Sequence, residues 1–362
     1  MKLKNIAIAF LGALLFATCS KKDDEKEYTA EESKAVVRST MDNFYNCLQN
    51  LNDGGFANFF HKLLFKEAVR DQNGETQSWG NFLGEKFDKQ DFAEGLTEGD
   101  RFNYHRMKGT YTWNKNTELW EKTANNENVT FIFPATKGAT NNGKLVIDQY
   151  EDTETTYGND KVYLPTAAHL YASVDNTKVF EVTVKNVTFE KKTNFTMPLS
   201  AHISIYTNPF TTTIQWNRQN PENFVFDFAF SSPQGCTTGL HADIKLTTSD
   251  YGNISSLEKA IDKIAFTATQ GELRIVGNID VKSLEEKGND RKLRVEEINT
   301  YEKAVLMKGN SKIADVKYEE ENDKGVIYFI FSDGSREKAE KYVSDFEDRV
   351  TQIFKRFDRK NN

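Results

Sequence analysis

Proline is scarce in this chain, six residues in 362, and so are histidine, five, and cysteine, three. The histidines, His61, His105, His169, His202 and His241, stand at least 33 residues apart. None of them therefore has a neighbour at the helical or turn spacing that zinc sites use. There is no His-Glu-x-x-His helix, no Cys-x-x-Cys, no Gly-x-Ser-x-Gly elbow and no glycine-rich phosphate loop. Alternating Asp and Asn around a glycine, the calcium-loop signature, is missing too. The acidic turn 319–323 reads as solvated. No metal or cofactor is called for. Apolar runs are also short: none approaches the ~20 residues of a membrane-spanning helix. What the chain has in quantity is aromatic residues, 27 Phe, 14 Tyr and 4 Trp, too heavy a load for a disordered polymer and one that favours strands.

The first 18 residues read as a signal peptide. Lys2 and Lys4 begin it, an apolar run follows from Ile6 to Phe16, and Ala17 and Thr18 precede Cys19. Phe16-Ala17-Thr18-Cys19 resembles a lipobox, with Phe16 where Leu is commoner and Thr18 where Gly or Ala is commoner. The resemblance implies a diacylglycerol on the thiol of Cys19 as the first mature residue. Two or more acyl chains give stable membrane attachment without a spanning helix. The following Ser20-Lys21-Lys22-Asp23-Asp24-Glu25 resembles the charged tag of surface-exported Bacteroidota lipoproteins, which implies an outer-membrane, cell-surface location. By composition alone it is a solvated tether, residues 19–29.

Removing residues 1–18 leaves 45 basic against 54 acidic residues, a balance of −9. Nucleic acid is thereby disfavoured as a partner, since phosphate binding wants a clustered positive surface. The one basic cluster, Lys355, Arg356, Arg359 and Lys360, suits the C-terminal end of a helix. Cys47 and Cys236 remain once Cys19 is acylated; they are read as buried free thiols, with a bridge as the alternative an oxidising compartment permits.

The pattern along the chain is α+β. Residues 30–95 read as a helical region. Thr29 and Glu32 make a capping box, and Val37, Met41, Phe44, Leu48 and Leu51 form one apolar stripe before Asn52-Asp53-Gly54-Gly55 stops it. A second helix runs through Phe56, Phe59, Phe60, Leu63 and Leu64, with weaker helical pattern from Phe82 to Phe87. Residues 96–282 read as a long antiparallel β-meander, a curved sheet or sandwich, because strands follow one another with only short turns. In it, residues 225–230 look buried on both faces. A short helix is expected through Ile261 and Ile264, capped by Ser255-Ser256-Leu257-Glu258, and a strand over 271–281. The segment 283–362 is expected to pack on the same domain as helix 295–307, a hairpin of 312–318 and 326–331, and one final helix 336–357. The stripe of that helix, Ala339, Tyr342, Val343, Phe346, Val350, Ile353, Phe354 and Phe357, predicts docking on the sheet.

Several pieces resemble a group of Bacteroidota outer-membrane lipoproteins of uncharacterised function: Gly109-Thr110-Tyr111-Thr112-Trp113-Asn114 with Leu119-Trp120, then Phe131-Ile132-Phe133-Pro134, and Phe331-Ser332-Asp333-Gly334. They are structural motifs, so the resemblance implies a fold and a source and carries no activity. The most favoured reading is a non-enzymatic surface module that binds a host or environmental protein or glycan. A carrier of lipid in an apolar groove and a glycan-processing enzyme with two facing carboxylates are the alternatives. No catalytic residue can be picked from 54 acids. Tyr111, Trp113 and Trp120 are the one candidate ligand platform; burial of these rings in the core is the commoner fate of such residues.

Overall fold

The computed structural model describes residues 26–66, 68–70, 76–90, 92, 97–98, 101–157, 160–191, 196–250, 260–288, 291–322, 324–344 and 346–357. Cys19 and the expected signal peptide lie outside them, as does the expected cap at Ser255–Glu258. The chain is α+β, helices with mostly antiparallel strands. It divides into two compact units, residues 1–48 with 213–350 and residues 49–212 with 351–362.

Helix α1, Ala30–Asp53, begins as its sequence dictates. The Glu32 amide donates to Thr29 Oγ1 at 3.3 Å and the Thr29 amide donates back to Glu32 Oε2 at 2.9 Å. Val37, Met41, Phe44 and Leu48 are buried along one face. Cys47 near its end is bonded to Cys236, with Cα atoms 5.8 Å apart. The free-thiol reading is thus overturned: the thiols are far apart in sequence but meet within one unit at an ordinary bridging distance.

In the unit of residues 49–212, α2 (Gly55–His61) runs into a single π turn, Lys62–Lys66. Short strands β1 (Ala68–Arg70) and β2 (Thr76–Ser78) pair ahead of α3, Trp79–Asp88. The two-residue strands β3 (Thr97–Glu98) and β4 (Arg101–Phe102) lead to a one-turn helix α4, Tyr104–Met107. Then come β5 (Gly109–Asn114), β6 (Leu119–Thr123), β7 (Val129–Phe133), β8 (Gly143–Tyr157), β9 (Asp160–Val174), β10 (Thr177–Lys191) and β11 (Thr196–Thr207). They pair as consecutive antiparallel neighbours with one exception. β5 pairs with β7 in parallel, Gly109 opposite Val129, so β6 is left as an outer strand and the meander is not purely antiparallel.

β12, Phe210–Asn220, runs from one unit into the other. In the unit of residues 213–350, β13 (Asn223–Ser231), β14 (Thr237–Leu246), β15 (Ile261–Gln270) and β16 (Leu273–Asp280) follow, then α5 (Val281–Gly288), α6 (Val295–Tyr301), β17 (Glu302–Lys308), β18 (Ser311–Glu321), β19 (Lys324–Ile330) and β20 (Arg336–Lys338), and α7 (Phe346–Ile353) runs across its end. Four expectations fail here. Ile261 and Ile264 lie on strand β15, where Ile264 pairs with Ile279 across β16. Segment 295–307 is helical only to Tyr301; from Glu302 it is a strand, with Ala304 and Leu306 buried alternately. The final helix is broken: Arg336–Lys338 pairs with β19, a 3-10 turn follows over Ala339–Tyr342, and the α-helix is confined to Phe346–Ile353. In each case ladder pairing overrides a local pattern that fits both periods. Residues 225–230, finally, are half-buried, with only Phe224 in β13 fully enclosed, so that strand does not face the core on both sides.

Candidate functional site

Ser78 caps α3, its hydroxyl accepting from the Asn81 amide at 3.2 Å. Trp79, Phe82, Leu83 and Phe87 then fall on one stripe of the helix and are buried. Across from them stand Tyr111 and Trp113 of β5, Trp120 of β6, and Val129 and Phe133 of β7, all buried in the same cluster. Across the helix–strand seam rings meet edge to face, Trp79 on Trp113 at 5.9 Å and 88° and Phe87 on Trp120 at 6.1 Å and 89°, while Trp79 stacks on Phe82 at 5.5 Å. Three of the polar groups buried with these rings find backbone acceptors. Trp79 Nε1 donates to Pro134 O at 2.8 Å, Trp120 Nε1 to Leu83 O at 3.0 Å, and the Tyr111 hydroxyl to Met107 O at 2.8 Å.

The helix and strands do not close on one another completely. Between them lies a cavity of about 410 Å³, walled on the helix side by Gly80, Leu83, Gly84 and Phe87 and on the strand side by Trp120, Phe131, Phe133 and Leu145. Leu63 of the π turn and Met107 of α4 line it as well, and Asp88, exposed, is its one charged residue. The two glycines explain the gap. A Cβ on Gly80 would come within 2.8 Å of Leu64 Cδ2, so glycine there lets the π turn lie against α3. A Cβ on Gly84 would meet nothing within 4 Å, because that side of the helix faces open space.

Of the residues singled out from sequence, Cys19 lies outside the described residues. Tyr111, Trp113 and Trp120 are 1%, 3% and 6% exposed and belong to the core cluster, so they form no flat outer platform. Trp120 alone contributes a wall of the apolar cavity. The remaining lining was missed by sequence reading. Its one signal was a pair of glycines four apart inside an aromatic helix, where glycine costs roughly 1 kcal/mol relative to alanine.

Two histidines are held by carboxylates. A β-bulge at Asp148 drops that residue out of the ladder beside His169. His169 Nδ1 lies 2.6 Å from Asp148 Oδ1 and its Nε2 lies 3.0 Å from Glu181 Oε1. Burial alone would lower the pKa of this imidazole, but the hydrogen bonds to Glu181 and Asp148 outweigh it and the pKa is raised. In the other unit His241 stands 2.7 Å from Asp227 and 3.4 Å from Asp243; the Asp227 hydrogen bond raises its pKa. In both clamps the carboxylates sit on opposite ring nitrogens and converge on no shared point. Among the described residues no group of three His, Cys, Asp or Glu side chains could hold a metal ion. Glu302 is a different case: it is 4% exposed, its Oε2 has no hydrogen-bond partner, and burial pushes its pKa up to about 8.

Comparison of the chain with known protein families, with curated proteins and with solved structures finds no match. The functional reading therefore rests on the cavity itself.

Proposed function

We propose that the protein is a lipid-anchored outer-membrane protein, displayed at the cell surface, that binds the apolar portion of a small lipid-like molecule without chemically changing it. The observation that carries this reading is the cavity of about 410 Å³ under α3, lined by Leu, Met, Phe and Trp side chains with one carboxylate. That volume lies in the range of small-molecule sites, which are mostly apolar. A polar ligand would lose its water there and gain almost no hydrogen bonds in return. The π turn beside the cavity is a further support, since such turns concentrate at functional sites.

The anchor rests on the N-terminal pattern ending in Cys19, and the Cys47–Cys236 bridge agrees with an exported protein. Of the readings open from sequence, the reading as a carrier or receptor for an apolar ligand is preferred to a binder of whole macromolecules, because the cavity is sized for a small one. Gly84→Phe supplies the test. Gly84 lines the cavity and a Cβ there would meet nothing within 4 Å, so the substitution leaves the new ring room to turn into it. The mature protein should bind the neutral probe N-phenyl-1-naphthylamine saturably, and the variant should lose that binding while melting at or above the original temperature. Equal binding by both proteins overturns the proposal.

A further inference from the structure

We infer that a second cavity, polar and separately built, is a binding site for a neutral sugar ring. It measures about 340 Å³ and lies between the Arg101–His105 segment and the stretch Tyr150–Asp152 of β8. A second β-bulge shapes it: Glu151 pairs with Ala167 and Asp152 with Pro165, so Thr166 is left out of the ladder and its side chain lines the cavity.

The floor is fixed in advance. The Asp152 side chain is 2% exposed, and Arg101 Nε donates to its two oxygens at 2.9 and 3.3 Å while Nη2 reaches Oδ1 at 2.8 Å. A buried carboxylate gripped this way by a guanidinium keeps its orientation. Beside it Tyr150 is set edge-on against Phe102, centroids 5.0 Å apart at 89°. The Tyr150 hydroxyl makes no hydrogen bond among the described residues.

These features select a ligand class. Arg101 and Asp152 cancel, and Glu151 leaves the lining with one negative charge, which disfavours phosphates and other anions. A wholly apolar ligand would strip water from Glu151, Thr166 and the Tyr150 hydroxyl without replacing its hydrogen bonds. A neutral sugar has hydroxyls that both donate and accept along its edge and an apolar C–H face that suits the rings of Tyr150 and Phe102. The site shares no lining residue with the apolar cavity and does not depend on its occupant.

Saturation-transfer NMR on the mature lipidated protein in detergent, with glucose, galactose, mannose and N-acetylglucosamine each at millimolar concentration, tests the assignment. Transfer to at least one of the four is expected, weakened about tenfold by Tyr150→Ala and unchanged by Gly84→Phe. Thr166→Trp, which fills the cavity from the neighbouring strand β9, should abolish it in a protein whose melting is checked first. No transfer from any of the four sugars, or transfer indifferent to both cavity variants, overturns it.

Discussion

The Trp120 indole N–H donates to the Leu83 carbonyl oxygen at 3.0 Å, a hydrogen bond that ties strand β6 to the middle of helix α3. Both residues also wall the apolar cavity, so the contact that fixes the helix sets the width of the cavity. Gln90 reinforces it, accepting from the Trp120 amide and donating to its carbonyl oxygen.

Trp120→Ala should therefore cost about 3–5 kcal/mol, the usual toll for deleting a buried aromatic. Trp120→Phe keeps most of the ring and removes one donor, so it should cost about 1–2 kcal/mol. Chemical denaturation of the two variants checks the ordering. Equal, negligible losses would mean that this wall is not part of the cooperative core.

Much of this architecture was legible in the sequence. The α1 stripe of Val37, Met41, Phe44 and Leu48 is buried as its spacing demands, and the Thr29–Glu32 box starts the helix. Asn114 Oδ1 accepts from the amides of Asn116 and Thr117, which closes the β5–β6 hairpin where turn residues cluster. The misread segments share a cause. Ile261 and Ile264 sit three apart and suit a helix, yet they are held by ladder pairing with the flanking strands β14 and β16. Tyr342, placed on a helical stripe, instead meets Phe329 at 5.8 Å from a 3-10 turn. Cavities were illegible for a stronger reason. A void is defined by where side chains stop, and only the open face of Gly84 left a trace in the sequence.

The Cys47–Cys236 bridge spans 189 residues of sequence. Loop-closure entropy alone puts its contribution near 5 kcal/mol, with about 2–4 kcal/mol typical in practice. The double variant Cys47→Ser, Cys236→Ser should unfold at distinctly lower denaturant, and reduction of the original protein should mimic it. A transition that ignores both changes would show that the bridge adds nothing.

Anchoring is tested at Cys19. Cys19→Ser should abolish incorporation of labelled palmitate and move the protein out of the membrane fraction. Protease added to intact cells should digest the unmodified protein, and replacing Lys22, Asp23 and Asp24 with Ala should protect it. Labelling that persists in Cys19→Ser rules out that thiol as the acceptor; full protection of the original protein places it in the periplasm.

Glu302 gives the sharpest dependence on pH. It opens β17 opposite Ile279, on the same inward side as Ala304 and Leu306, and its Oε2 lies buried without a partner. Burial raises its pKa from 4.5 to about 8. Between those two pH values the folded protein keeps a proton that the unfolded chain has released, so stability falls as pH rises through the window. A shift of that size corresponds to about 4–5 kcal/mol at its upper limit. Tyr318 lies within electrostatic reach and has its own pKa raised, chiefly by burial, so it stays neutral throughout and supplies no compensating charge. His241, with its pKa raised, adds a loss of the same sign as pH passes its folded value, starting above about 6.5. Glu302→Gln leaves the His241 term in place and removes the carboxyl. The variant should match the original protein near pH 5 and exceed it by several kcal/mol at pH 8.5, measured by urea unfolding at both. Parallel stability curves across that range would mean that Glu302 ionises in the folded protein much as it does in water.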